Sequence, residues 1–209
     1  MPERRRPSAL APQLKAAVLI VAGLNLAYFF VEMTVALLIG SVSLFADSID
    51  FLEDTAINLL IFVALGWSLH AQAIAGKFMA FIILLPALAA AWQAFTKFSN
   101  PTPPDPLALI FTAGGAALVN LTCSFILARF RHHDSSMARA AFLSARNDVL
   151  INIAIITMGI ATIWTMSGWP DLILGLVIIV LNITAAKEVW ETAQEEHLAS
   201  KALAGEDID

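Results

Sequence analysis

Ser41-Val42-Ser43-Leu44-Phe45-Ala46-Asp47-Ser48-Ile49-Asp50-Phe51-Leu52-Glu53-Asp54 runs straight on into Thr55-Ala56-Ile57-Asn58-Leu59-Leu60-Ile61-Phe62-Val63-Ala64. The second half belongs in hydrocarbon, yet the first half holds Asp47, Asp50, Glu53 and Asp54. An ionised group near a bilayer centre costs on the order of 3 kcal/mol on insertion scales. Asp50 and Asp54 stand four apart, so on a helix they stack on one face. Asp47, a turn earlier, is expected to share that stripe, and Glu53 to point a quarter-turn or more away. Like charges so spaced repel, more strongly in low dielectric. The set persists only if a cation or a proton neutralises it.

The rest of the chain supports a lipid setting. It has 209 residues, 59% hydrophobic and only 14% charged, with a mean hydropathy of +0.78. A water-soluble domain must carry more charge on its surface. At roughly 20 apolar residues per crossing there is room for six spans. They run from about Ala16 to Ile39, Ser41 to Leu69, Ile74 to Phe95, Leu107 to Phe130, Met137 to Met166 and Leu172 to Trp190. Gly40, the run Asn100, Pro101, Pro103, Pro104 and Pro106, the polar link Arg131–Ser136, and Ser167, Gly168 and Pro170 interrupt them. Helices are required, because an open strand edge in lipid leaves backbone groups unpaired. The expected fold is an all-α membrane protein of six transmembrane helices. Its parts are a cytoplasmic segment (1–15), the transmembrane domain (16–190) and a short polar tail (191–209).

Basic residues set the expected orientation. With six spans, Arg4, Arg5, Arg6, Lys15, Lys77, Arg129, Arg131, Arg139, Lys187 and Lys201 fall on the side of the termini. Lys97 alone lies opposite, and Arg146 lies within the fifth span. Both termini are therefore expected in the cytoplasm, with the N-terminus a retained anchor and not a cleaved signal. The formal charge of −5 implies no acidic partner, and no nucleic-acid partner is expected. Cys123 is the single cysteine, which excludes a disulfide framework and a thiolate cluster.

The fifth span repeats the signal of the second. Ser144 and Asp148 are four apart, with Asn147 beside them and Asn152 one turn further on. At about 1.5 Å per residue, Asp50 and Asp148 both come out roughly 13 Å deep from opposite faces of a ~30 Å core. They can meet near the middle. Asp50, Asp54 and Asp148 with Ser144, Asn147 or a water make a four-coordinate site for a divalent cation, to which Asp47 could add. The competing reading is that these acids are interhelical fasteners.

Other polar residues carry weaker readings. Glu32 and Asn25, seven apart, share a face of span one, and Glu32 reads either as a proton or ion pathway or as a structural hydrogen bond. Asn120 reads as an interhelical hydrogen bond, and Arg146 as a counter-ion to Glu53 or a snorkelling group. His70, placed in the turn after span two, and His132 and His133 beside Asp134 could capture metal at the inner mouth or be plain solvated residues. Trp67, Trp164, Trp169 and Trp190 read as an interfacial belt.

Glu32, the Gly40-Ser41 turn, the Ala46-Asp47 dipeptide and the Asp50/Asp54 pair resemble the first two helices of the cation diffusion facilitators. Arg139 through Asn152 resembles that family's fifth helix, and Pro170-Asp171-Leu172-Ile173-Leu174-Gly175-Leu176 the start of its sixth. The resemblance implies a cation-efflux bundle exporting zinc first, or cobalt, cadmium, iron, manganese or nickel, in exchange for protons. Asp50, Asp54 and Asp148 carry over as ligands. Ser144 stands where the family usually has His or Asp, which weakens the fourth ligand and strict zinc selectivity. The family's cytoplasmic metal-binding domain is not expected in the residues after Trp190; a homodimer through the membrane helices stays open. Two other readings compete: a passive cation channel and a non-transporting accessory protein. No nucleophile–base pair or cofactor fingerprint points to an enzyme.

Overall fold

The structure, a computed structural model, describes residues 11–64, 69–130 and 136–204. Every regular element among them is a helix: α1 (Ala11–Ile39), α2 (Val42–Ala64), α3 (Leu69–Phe98), α4 (Pro106–Ala128), α5 (Ser136–Thr165) and α6 (Trp169–Ala204). The six apolar runs are six helices. Pro12–Ile39, Pro106–Ala128 and Ala145–Thr165 qualify as membrane crossings by length and apolarity alone. α2, at 23 residues, is long enough for a ~30 Å core, but its four acids dilute its apolarity.

The packing explains how α2 carries them. It lies against α1, α3, α5 and α6, and Val42, Leu44, Ala46 and Ile49 are wholly buried. A helix enclosed on every side can hold acids without showing them to lipid. α1, α2, α5 and α4 close a ring, each touching the next, while α3 and α6 pair and lean on α2. Large apolar side chains such as Leu38, Phe30, Phe111, Phe125 and Trp164 point outward, as an outer surface in hydrocarbon requires. Trp169 and Trp190 are also exposed, and Trp190 carries Lys77 over its ring, 5.6 Å from the centroid. Trp67 lies outside the described residues.

Local chemistry sets the helix ends. Gly40 turns the chain from α1 into α2 at a φ of 65°, a left-handed conformation that glycine adopts without penalty. Lys97 at the end of α3 donates to the Gly40 carbonyl, placing a cation on the carbonyls that end α1. Asp105 caps α4, accepting from the amides of Leu107 and Ala108 at 2.9 Å each, with Pro106 in the first turn where its missing amide hydrogen costs nothing.

Three expected boundaries shift. α1 begins at Ala11, because Pro12 is tolerated in a first turn. Leu69 and His70 open α3 and are not part of the preceding span or turn. The polar segment after Trp190 is helical as far as Ala204. It is rich in Ala, Glu, Gln and Leu, which favour helix, and Lys187 pairs with Glu191 at 3.5 Å one turn on.

Candidate metal centre

α2 is held at its first turn by α6. Asp171 is buried and accepts from the amides of Val42 (2.8 Å) and Ser43 (3.2 Å) and from the hydroxyls of Ser41 (2.5 Å) and Ser43 (2.6 Å). A carboxylate there satisfies amides that the helix leaves unpaired and complements its dipole. The approach is close because residue 175 is glycine: a Cβ there would stand 2.6 Å from Val42 Cγ1 and 2.8 Å from the Ser43 nitrogen.

Two to four turns along, α2 faces a cavity of about 260 Å³. Asp50, Glu53 and Asp54 line it from α2, Asn147 and Asp148 from α5, and Asn182 from α6. At ~30 Å³ per water it has room for a cation that keeps part of its hydration shell. Asp54 and Asp148 are 4% and 8% exposed, and their carboxyls lie within hydrogen-bonding reach of each other. Asn25 on α1 donates to Asp54 Oδ2 at 3.2 Å and accepts from the Cys123 thiol of α4 at 3.5 Å. Among the described residues no three of His, Cys, Asp and Glu converge tightly enough to enclose an ion in this conformation. The acids share a chamber, and gripping an ion would draw them inward or leave water in its shell.

The α2 stripe differs from expectation. Glu53 lines the cavity, while Asp47 turns to α1, where its carboxyl meets that of Glu32. Helix geometry explains both. At about 100° per residue, Glu53 lies some 60° to one side of Asp50, and Asp54 and Asp47 lie some 40° and 60° to the other. The cavity centres on Asp50 and takes in Glu53 and Asp54. Asp47 looks past its edge.

Glu32 and Asp47 are wholly buried. None of their four carboxyl oxygens receives a hydrogen bond from an N–H or a hydroxyl among the described residues. Two carboxyls facing each other in a dry interior bond only through a proton between them, or by sharing a cation.

The other residues singled out from the sequence divide plainly. Asn147 is exposed, lines the cavity and accepts from the Arg146 guanidinium at 3.3 Å. Ser144 lies on α5, but its side chain is outside the described residues, as are the side chain of His70 and all of His132 and His133. Asn120 is buried, yet its Oδ1 meets no donor among the described residues. Asn58 and Asn152 donate to the backbone carbonyls of Asp54 and Asp148, both at 2.8 Å, one turn back in their own helices. Sequence reasoning missed Asn182, which donates to the Ala46 carbonyl at 2.8 Å. Its only signal was a lone amide inside the apolar run of α6.

Comparison with known proteins bears on the same residues. A family model described as the cation efflux transmembrane domain matches residues 18–195, which take in part or all of each of the six helices. Two curated proteins named zinc transporter ZitB, from Escherichia coli (strain K12) and from Shigella flexneri, are each 25% identical over 196 residues. The alignment takes in 87% of this chain and 62% of each relative, so the chain spans less than two thirds of their length.

Proposed function

The chain belongs to the cation efflux transmembrane domain family, and from that premise we propose that it exports a divalent transition-metal cation across a membrane in exchange for protons. Zinc is the first candidate, because the similar proteins are named zinc transporters. The observation that carries the reading is the chamber where Asp50, Glu53 and Asp54 of α2 meet Asp148 of α5. Its only compatible guests are positive. Asp50, Asp54 and Asp148 serve as ligands, with Ser144, Asn147 or water in the fourth position.

Exchange follows from competition. A carboxyl that holds a proton offers the metal a poorer ligand, and metal binding expels the proton. Glu32 and Asp47, carboxyl to carboxyl between α1 and α2, form the second proton-holding position of this scheme. The bias of Lys and Arg sets both termini in the cytoplasm.

Reconstituted vesicles with an imposed pH gradient test the proposal. Zinc uptake should depend on the gradient and vanish in Asp54→Ala. Uptake indifferent to the gradient would mean a passive channel. A wild-type protein that is folded but moves no divalent metal would leave the accessory reading in its place.

A further inference from the structure

We propose that Asn182 on α6 is a specificity-determining residue of the cation chamber, presenting its side-chain carbonyl oxygen as a neutral donor to the ion. This rests on the transport reading and adds a third helix to the ion's surroundings.

The amide sits in an apolar run, Leu176-Val177-Ile178-Ile179-Val180-Leu181-Asn182-Ile183, and is 1% exposed. Its nitrogen donates to the Ala46 carbonyl of α2 at 2.8 Å. A backbone carbonyl can only accept, so the orientation of the amide is fixed and Oδ1 is directed elsewhere. Among the described residues none donates to that oxygen, and the residue lines the chamber beside Asp50, Asp54 and Asp148. A fastener between α6 and α2 needs only the nitrogen. The oxygen, on a residue that shares the chamber wall with Leu181 and Ile151, is left free to meet whatever enters the chamber.

The chemistry of an amide oxygen gives it a distinct part. Unlike the acids, it takes up no proton in the working pH range, so its attraction for a metal is not lost when the chamber acidifies. It is also a hard donor, favouring ions that accept oxygen ligands, such as manganese, over ions that prefer imidazole or thiolate. With carboxylates as its partners, it widens the choice of metal beyond zinc.

Two variants separate a donor from a fastener. Asn182→His keeps an N–H for the Ala46 carbonyl and offers a ring nitrogen to the chamber; Asn182→Leu offers neither. Zinc and manganese binding are measured by titration calorimetry on the purified full chain, alongside vesicle uptake of both metals. For Asn182→His the zinc-to-manganese affinity ratio should rise about tenfold; for Asn182→Leu manganese affinity should fall more than zinc affinity. An unchanged ratio in Asn182→His would overturn the proposal whatever happens to flux, and that variant decides the matter if Asn182→Leu does not fold. A shifted binding ratio without uptake in any variant would uphold Asn182 as a donor and retire the transport reading. Failure of the wild type to bind either metal would overturn both.

Discussion

Asp54 is tied to α1 by Asn25. Its donated hydrogen bond, 3.2 Å long, fixes the orientation of the Asp54 carboxyl, and on the transport reading that orientation presents it to the metal. A hydrogen bond to a charged group is worth about 1.5–3 kcal/mol, or roughly tenfold in affinity and upward. Asn25→Ala is therefore expected to raise the zinc KM about tenfold while leaving the maximal rate within a few-fold, read from initial rates of vesicle uptake. An unchanged KM would mean that the bond only positions α1. Asp50, Asp54 and Asp148 were legible in the sequence because a four-residue spacing of acids in an apolar run has few innocent causes. Glu53 joins the chamber wall because the cavity centres on Asp50, which stands only about 60° from it around the helix, and the same geometry leaves Asp47 facing Glu32. The spacing puts Asn25 on the face of Glu32, but its partner Asp54 lies 29 residues away, and a contact across helices leaves no periodicity to read.

Single helices show the same division between local and distant causes. The runs that became α1 to α6 were readable because each is apolar and each break holds glycine, proline or charge. The order in which helices pack was not, since a uniformly apolar helix gives no preferred face. What fixes α2 against α6 is Asp171, whose role depends on meeting Ser41, Val42 and Ser43 from 128 to 130 residues away. Asp171→Ala removes four acceptor contacts and leaves two amides and two hydroxyls buried. The expected loss is about 3 kcal/mol or more, a fall of roughly 6–12 °C in Tm for a chain of this size, followed by intrinsic fluorescence of the detergent-solubilised protein. Gly175→Val should lower Tm by a comparable amount for a different reason, since its Cβ would meet the Val42 side chain and the Ser43 backbone nitrogen. If both variants kept the wild-type Tm, the α2–α6 junction would not be the rigid tie described above.

In the whole molecule α2 is the hub: it packs against α1 and α5 of the ring and against both α3 and α6 of the pair, and no other helix packs against two members of each group. It also joins the two acid positions: Asp47 faces Glu32, and Asp50, one turn on, centres the chamber. On the exchange reading proposed above, occupancy at one is felt at the other, through charge and through the single helix that carries both. If protons compete with metal for the acids, as proposed above, lowering the pH on the metal-loading side should slow zinc uptake and raising it should speed it up. Glu32→Gln tests the division of labour. It leaves Asp50, Asp54 and Asp148 in place but gives Asp47 an amide partner that cannot carry the exchanged proton. Zinc uptake should persist, while the protons moved per zinc, read from a pH-sensitive dye inside the vesicles, should fall and the pH dependence should flatten. If Glu32→Gln instead moved the wild-type number of protons, the coupling would reside wholly in the chamber, and the paired carboxyls of α1 and α2 would be a structural contact that shares a static proton.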